Sequence, residues 1–194
     1  MMRILLIAVC IVLFQVSAMA ADFSVKEGSV SYTATVNMIK MMTTETIIGV
    51  NNTASGSITT AKNGQINGKI VVLANGFKTD KEKRDAHVAQ ILKSETYPDI
   101  VLELDNLSIV ESELDKLLSS ASFNRIVKGK LSVAGVTKSY DFEIVVTKTA
   151  PKSYRLQTKR YVNFSDFDIK APSMPVIQTD DKLLISGDII IEKK

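Results

Sequence analysis

A chain of 194 residues with one cysteine and a formal charge of +3 is the size of a single domain with room for small insertions. Its 24 basic and 21 acidic side chains are spread along the chain, and the densest basic run, residues 78–84, is broken by Asp80 and Glu82. A strong basic face is therefore missing, and nucleic acid is excluded as an expected partner.

Residues 1–20 have the layout of a secretory signal peptide: Arg3, an apolar run over 4–14, then Ala18-Met19-Ala20 as an A-x-A cleavage site. The run is shorter than the roughly 20 apolar residues a spanning helix requires, and no second run approaches that length. Cleavage is expected after Ala20. The mature domain, 21–194, then occupies the periplasm or the exterior, without stable membrane insertion. Cys10 leaves with the leader, so the mature chain has no disulfide, thiol nucleophile or thiolate ligand. Val9, inside the apolar run, precedes Cys10, which argues against lipid attachment there.

Period-two alternation dominates the mature domain. Val30, Tyr32, Ala34, Val36 and Met38 share one face of a strand, and Ser31, Thr33, Thr35 and Asn37 the other. Weaker alternation runs through Ile48, Val50, Ala54 and Ile58. Asn63-Gly64 is a hairpin signal, because a type I′ turn needs positive φ at both central residues; Ile66, Ile70 and Val72 lie on the return strand. The spacing of Val88, Ile91 and Leu92 predicts a helix over 80–92, with Thr79 or Asp80 as N-cap. Tyr97-Pro98 ends that excursion. Strand character resumes at Ile100, Leu102 and Leu104, and a short helical insertion is expected over 111–119, with Leu114, Leu117 and Leu118 facing inward.

The second half reads as strand. Val127, Gly129, Leu131 and Val133 alternate, Gly135 turns the chain, and Tyr140, Phe142, Ile144 and Val146 alternate back. A strand near 154–162 leads into an aromatic loop with Phe164 and Phe167, and Pro172 and Pro175 bracket an irregular stretch. The last strand carries Leu183, Ile185, Gly187, Ile189 and Ile191. About eight mostly antiparallel strands suit a closed barrel, which removes sheet edges. The expected class is all-β, an eight-stranded antiparallel barrel; an open β-sandwich is the rival.

His87 is the only histidine. A hydrolytic triad would need it as the base, but no G-x-S-x-G elbow is present, and a zinc site would lack the usual ligand spacing. No catalytic residue, metal or cofactor is expected. Arg84, Asp85 and His87 form a polar cluster at the start of the helix, where they can fix a lid or meet a head group. Asp80 and Arg84 stand at i, i+4, where an ion pair is available. A basic residue in a first helical turn opposes the helix dipole, which points to an acidic partner or an anionic head group. The apolar alternation by itself fits either a packed core or a cavity.

Three motifs carry a resemblance. Arg84-Asp85-Ala86-His87 followed by Tyr97-Pro98, the run VKGKLSVAGVTK over 127–138, and Phe164-Ser165-Asp166-Phe167-Asp168-Ile169 are together similar to motifs of the YceI-like family. Phe164 and Asp168 stand where that family usually has arginine and glycine, and Ile91-Leu92 where an aromatic pair is common. The resemblance implies a lipocalin-like barrel with an elongated apolar cavity that holds a long-chain amphiphile, a polyisoprenoid or fatty-acid-like lipid, without transforming it. On that reading Val30, Tyr32, Ala34, Val36, Ile70, Val72, Leu102, Leu104, Leu131, Val133, Tyr140, Phe142, Ile144, Phe164, Phe167, Ile185 and Ile189 line the cavity. The rivals are an enzyme acting on a small lipid-like substrate and a stress-related secreted protein without a dedicated ligand. Assembly is open between monomer and homodimer.

Overall fold

The structure, a computed structural model, describes residues 21–60, 65–108 and 122–194. The alternation around Val36 extends into one long strand, β1 (Ala21–Met38), followed by β2 (Thr43–Asn51), β3 (Ser55–Thr60) and β4 (Gln65–Leu73). A crossover containing helix α1 (Glu82–Ile91) leads to β5 (Asp99–Ser108). Then come β6 (Ser122–Val133), β7 (Val136–Ala150), β8 (Ser153–Asn163), the short β9 (Ser173–Met174) and β10 (Ile177–Lys193). All pairings are antiparallel in the order β2-β1-β3-β4-β5-β6-β7-β8-β10-β9, and β1 also pairs with β10. That last pairing closes β1, β3 to β8 and β10 into an eight-stranded barrel.

β2 and β9 are additions that alternation alone does not separate from their neighbours. β1 is bonded to β10 over most of its length. Its other edge is divided, with Ala21 to Ser24 paired to β3 and Val30 to Met38 paired to β2. The break between β2 and β3 is built by Asn51, which is fully buried. Its Nδ2 donates to the Leu73 carbonyl at 2.7 Å, and its Oδ1 accepts from the Thr53 amide at 2.9 Å and the Thr53 hydroxyl at 2.7 Å. The Thr53 hydroxyl in turn accepts from the Leu73 amide at 2.9 Å. These side chains replace strand ladder at the point where the chain changes direction.

The helix begins two residues later than expected. Its N-cap is Lys81, without a side-chain cap, and Leu92 is the C-cap. Asp80 has φ 63°, so the turn before the helix is made there. Thr79 is folded inward instead of capping. The Asn63-Gly64 turn and the 111–119 insertion lie outside the described residues.

The barrel interior is divided by height. Ile58, Ile70, Tyr154, Ile189 and Ile191 form a solid lower cluster with Leu102 packed against it. An upper cluster gathers Leu131, Val133, Ala134, Phe142, Val162, Phe167 and Ile169. Inward glycines let the lower half close up. A Cβ on Gly129 would lie 2.9 Å from Leu102 and 3.1 Å from both Leu104 and Phe142, and one on Gly28 would lie 3.0 Å from Ile189. Side chains from neighbouring strands occupy the space those positions leave.

The β6–β7 hairpin closes on Ala134-Gly135, with φ of 50° and 85° between the paired Val133 and Val136. This is the positive-φ pair a two-residue hairpin requires. A Cβ at Gly135 would also stand 2.5 Å from the Tyr97 ring. Gly135→Ala is expected to cost about 1–3 kcal/mol from backbone strain alone, read as a lower urea midpoint. Adding Tyr97→Ala should return the part due to the ring, and full additivity of the two changes would rule out that contact.

Candidate functional site: an apolar cavity beneath helix α1

The upper half of the barrel encloses a cavity of about 1030 Å³. Tyr32, Ala34, Val36 and Met38 enter it from β1, Leu131 and Val133 from β6, Val162 from β8, and Leu183 and Ile185 from β10. α1 covers one side with Val88, Ile91 and Leu92, the apolar face that its spacing predicts. The segment between β8 and β10 supplies Phe164, Phe167, Ile169 and Met174. The charged side chains at the wall are Glu45 on β2 and Lys81, Lys83 and Arg84 at the start of α1.

Eight of the residues expected at the wall meet there: Tyr32, Ala34, Val36, Leu131, Val133, Phe164, Phe167 and Ile185. The other nine are placed elsewhere. Ile70 and Ile189 belong to the lower cluster, and Leu102 packs against both clusters. Phe142 belongs to the upper cluster, and Tyr140 and Ile144 pack against that one. Val72 and Leu104 are buried away from the cavity, and Val30 stands opposite Gly187 below Ile185. Alternation reports which face a side chain takes but not its height along the barrel axis. Phe77, Ile91, Leu92, Val162 and Leu183 are lining residues that the face count passed over. The helical spacing of Ile91 and Leu92 and the alternation through Val162 and Leu183 contained that information.

The polar cluster is organised around Thr79. Its amide and hydroxyl donate to Asp85 Oδ1 at 2.8 and 2.6 Å. Arg84 Nε donates to the Thr79 hydroxyl at 2.8 Å, and its Nη2 donates to the Thr79 carbonyl. Arg84 therefore turns to Thr79, rather than to Asp80 four residues earlier. His87 is exposed and lines the cavity, while Asp85 faces away from it. The Thr79 hydroxyl holds the Asp85 carboxyl below its ordinary range, helped by the Thr79 amide and by Lys78 at 3.9 Å, against the opposing effect of desolvation.

A carboxyl depressed in the folded state contributes stability that is complete above its unfolded pKa and lost as pH falls through the folded one. The urea midpoint should therefore fall as the pH drops below about 4, where Asp85 protonates. Asp85→Asn should fall less between pH 7 and pH 3 than the natural protein. Equal losses in the two would show that Asp85 does not contribute to the acid response.

A second network seats the aromatic loop. The Tyr140 hydroxyl donates to Asp166 Oδ2 at 2.8 Å, and the Asn163 amide donates to the same oxygen at 3.0 Å. Burial pushes the Tyr140 phenol up, and the bond to Asp166 adds to that; the same bond leads in holding Asp166 down. Asn163 and Asp166 form a capping box around the turn Phe164–Phe167, and Asp168 ends it at φ 54°. Such a conformation costs glycine least, which explains why glycine is common at this point of the motif.

Arg160 lies opposite Ile185 on β10, with its guanidinium 5.5 Å from the Tyr140 ring centre. Its Nε is buried without a hydrogen-bond partner. A charged residue on an inward rung breaks the alternation, and a count of apolar positions passes over it. Among the described residues, no three His, Cys, Asp or Glu side chains gather into a metal-holding group.

A model of the YceI-like domain matches residues 16–191. No curated protein sequence matches the chain. Among solved structures, a polyisoprenoid-binding domain from Saccharophagus degradans implicated in plant cell wall breakdown is similar at 15% identity and a TM-score of 0.67, covering 89% of this chain and 98% of that one. Burkholderia cenocepacia BcnA is similar at 14% identity and a TM-score of 0.62, over 84% of this chain and 95% of that one. A Campylobacter jejuni YceI protein is similar at 15% identity and a TM-score of 0.52, over 73% and 81%. The solved structures share the barrel, and the family model spans nearly the whole sequence: the chain belongs to the YceI-like family.

Proposed function

We propose that this protein binds a long-chain amphiphile, a polyisoprenoid or fatty-acid-like lipid, non-covalently in the upper cavity, and carries or sequesters it without chemical change. The observation that carries this reading is an apolar cavity of about 1030 Å³, at the top of the usual range of about 300–1,000 Å³ for ligand pockets. The Saccharophagus degradans barrel, described as polyisoprenoid-binding, supports the same ligand class. Each methylene moved from water into such a wall contributes about 0.8 kcal/mol before the costs of association. Among the described residues no hydrogen bond ties His87 to a nucleophile or an acid in the manner of a triad, and the apolar wall supports binding. The leader pattern of residues 1–20 supports export to the periplasm or exterior. Among the described residues no helix is long and apolar enough to cross a membrane.

The test is native mass spectrometry of protein extracted gently from its host, followed by titration with a fluorescent C16 fatty acid. A retained long-chain mass and saturable binding are expected. Leu183→Arg puts a charge into the apolar wall, where an unpaired charge is costly; it should lower affinity about a hundredfold or more while circular dichroism stays barrel-like. Binding unaffected by that change would remove the cavity from the function. The exported protein should begin at Ala21, and a chain that begins at Met1 in a membrane fraction would contradict export of a cleaved form.

A further inference from the structure

Two segments at the open end of the barrel share an unusual composition. Residues 38–44 form the tip of the β1–β2 hairpin, and residues 171–179 run from the aromatic loop into β10. Together they carry one charged residue, Lys40, in a chain that is 23% charged. They are joined: the Ile39 amide donates to the Val176 carbonyl at 3.0 Å, and Met38 pairs with Ile177. The apolar side chains they present to solvent are large. Met42 is 95% exposed, Met41 65%, Met174 62% and Ile39 48%. Contiguous exposed apolar surface of this kind marks an interaction site.

The turn chemistry points the same way. The hairpin tip Ile39-Lys40-Met41-Met42 contains none of the Gly, Asn, Asp or Pro that such turns favour, and Met42 is held at φ 51°. Left-handed backbone at a methionine is uncommon and mildly strained. Local folding preferences would put glycine or asparagine there, so neither the backbone nor the core accounts for a methionine at this position. The patch is also continuous with the cavity, since Met38, Met174 and Ile177 belong to both.

We propose that this tip docks reversibly on the surface of a phospholipid bilayer, inserting Ile39, Met41 and Met42 among the head groups so that the cavity mouth faces the membrane. Interfacial binding of this type combines buried apolar area with attraction of basic residues to anionic lipid. Lys40 supplies the charge at the tip, and Lys81, Lys83 and Arg84 outnumber Glu45 at the wall of the same cavity. A bilayer accommodates the whole apolar tip without a shaped partner surface. The direction of ligand exchange rests on the lipid-carrier reading; the docking itself does not depend on it.

The test is flotation of the purified protein with vesicles of phosphatidylglycerol and phosphatidylethanolamine, and with vesicles of phosphatidylcholine. Transfer of the fluorescent C16 fatty acid out of the same vesicles, and its affinity without vesicles, are measured in parallel. The natural protein should float with the anionic vesicles. Met41→Asp with Met42→Asp should lower the bound fraction and the transfer rate about tenfold or more, while affinity without vesicles stays within about twofold because these side chains lie outside the cavity wall. Lys40→Glu should weaken binding to anionic vesicles about fivefold or more and leave the neutral ones little changed. Val176→Asp on the second segment is the control against misfolding of the hairpin, and should act in the same direction. Equal flotation of natural protein and variants, or no flotation of either, overturns docking. Self-association that the aspartates abolish, without flotation, assigns the tip to a second copy and also overturns it. Flotation lost in the variants without any fatty-acid binding leaves docking standing and removes the carrier reading.

Discussion

Phe142→Ala is expected to lower stability by about 3–5 kcal/mol, the usual cost of removing a buried aromatic side chain, measured by urea denaturation at neutral pH. Phe142 is 1% exposed and meets the Tyr140 ring edge-on at 6.2 Å. It belongs to the cluster that includes the cavity-lining Leu131, Val133, Val162 and Phe167. Its loss therefore weakens the support behind the wall as well as the core. Phe142→Leu should recover most of the loss because it refills much of the volume. A loss below about 1 kcal/mol would mean that the surrounding side chains collapse into the gap, contrary to the usual partial relaxation.

Asn51→Leu is the second large effect, expected at about 2–4 kcal/mol, because it leaves the Leu73 carbonyl and the Thr53 amide short of partners in a buried place. The damage should be local as well as global. Limited proteolysis is expected to cut near residues 51–55 in the variant and not in the natural protein. Thr53→Val removes part of the same network, so the double variant should cost less than the two changes added together. Strict additivity would show that the Asn51 and Thr53 bonds act independently.

The barrel was legible because its signal is repetitive. Val30 to Met38, Tyr140 to Val146 and Leu183 to Ile191 each present several apolar positions at period two, and one face of each strand is held against the interior. The α1 face of Val88, Ile91 and Leu92 was equally plain. The depth of the cavity was not legible. Leu102 and Leu131 are paired across β5 and β6 and read identically in sequence, yet Leu131 lines the cavity while Leu102 packs between the two clusters without reaching it. Part of that difference lies with Gly129 on β6, whose missing Cβ leaves room for Leu102, a relation across strands that no local window contains. The start of α1 failed for a related reason: Thr79 has the chemistry of a cap, but Asp85 and Arg84 engage it first.

The divided edge of β1 gives the two halves of the barrel different mechanics. Below Asn51, β1 is bonded on both edges, to β3 through Ala21 to Ser24 and to β10, so its place in the wall is set by strand pairing. Above Asn51, the far edge of β2 is fastened to the crossover at a single point, where Val50 and Lys78 exchange two backbone bonds of 2.9 and 2.8 Å. The rest of that gap is spanned by Phe77 and α1 through side-chain packing. Widening the upper girth therefore requires α1 to shift against β2 and breaks almost no backbone ladder. The wall around β1 is thus laced on both edges at its lower end, while beside β2 it is a collar with one clasp.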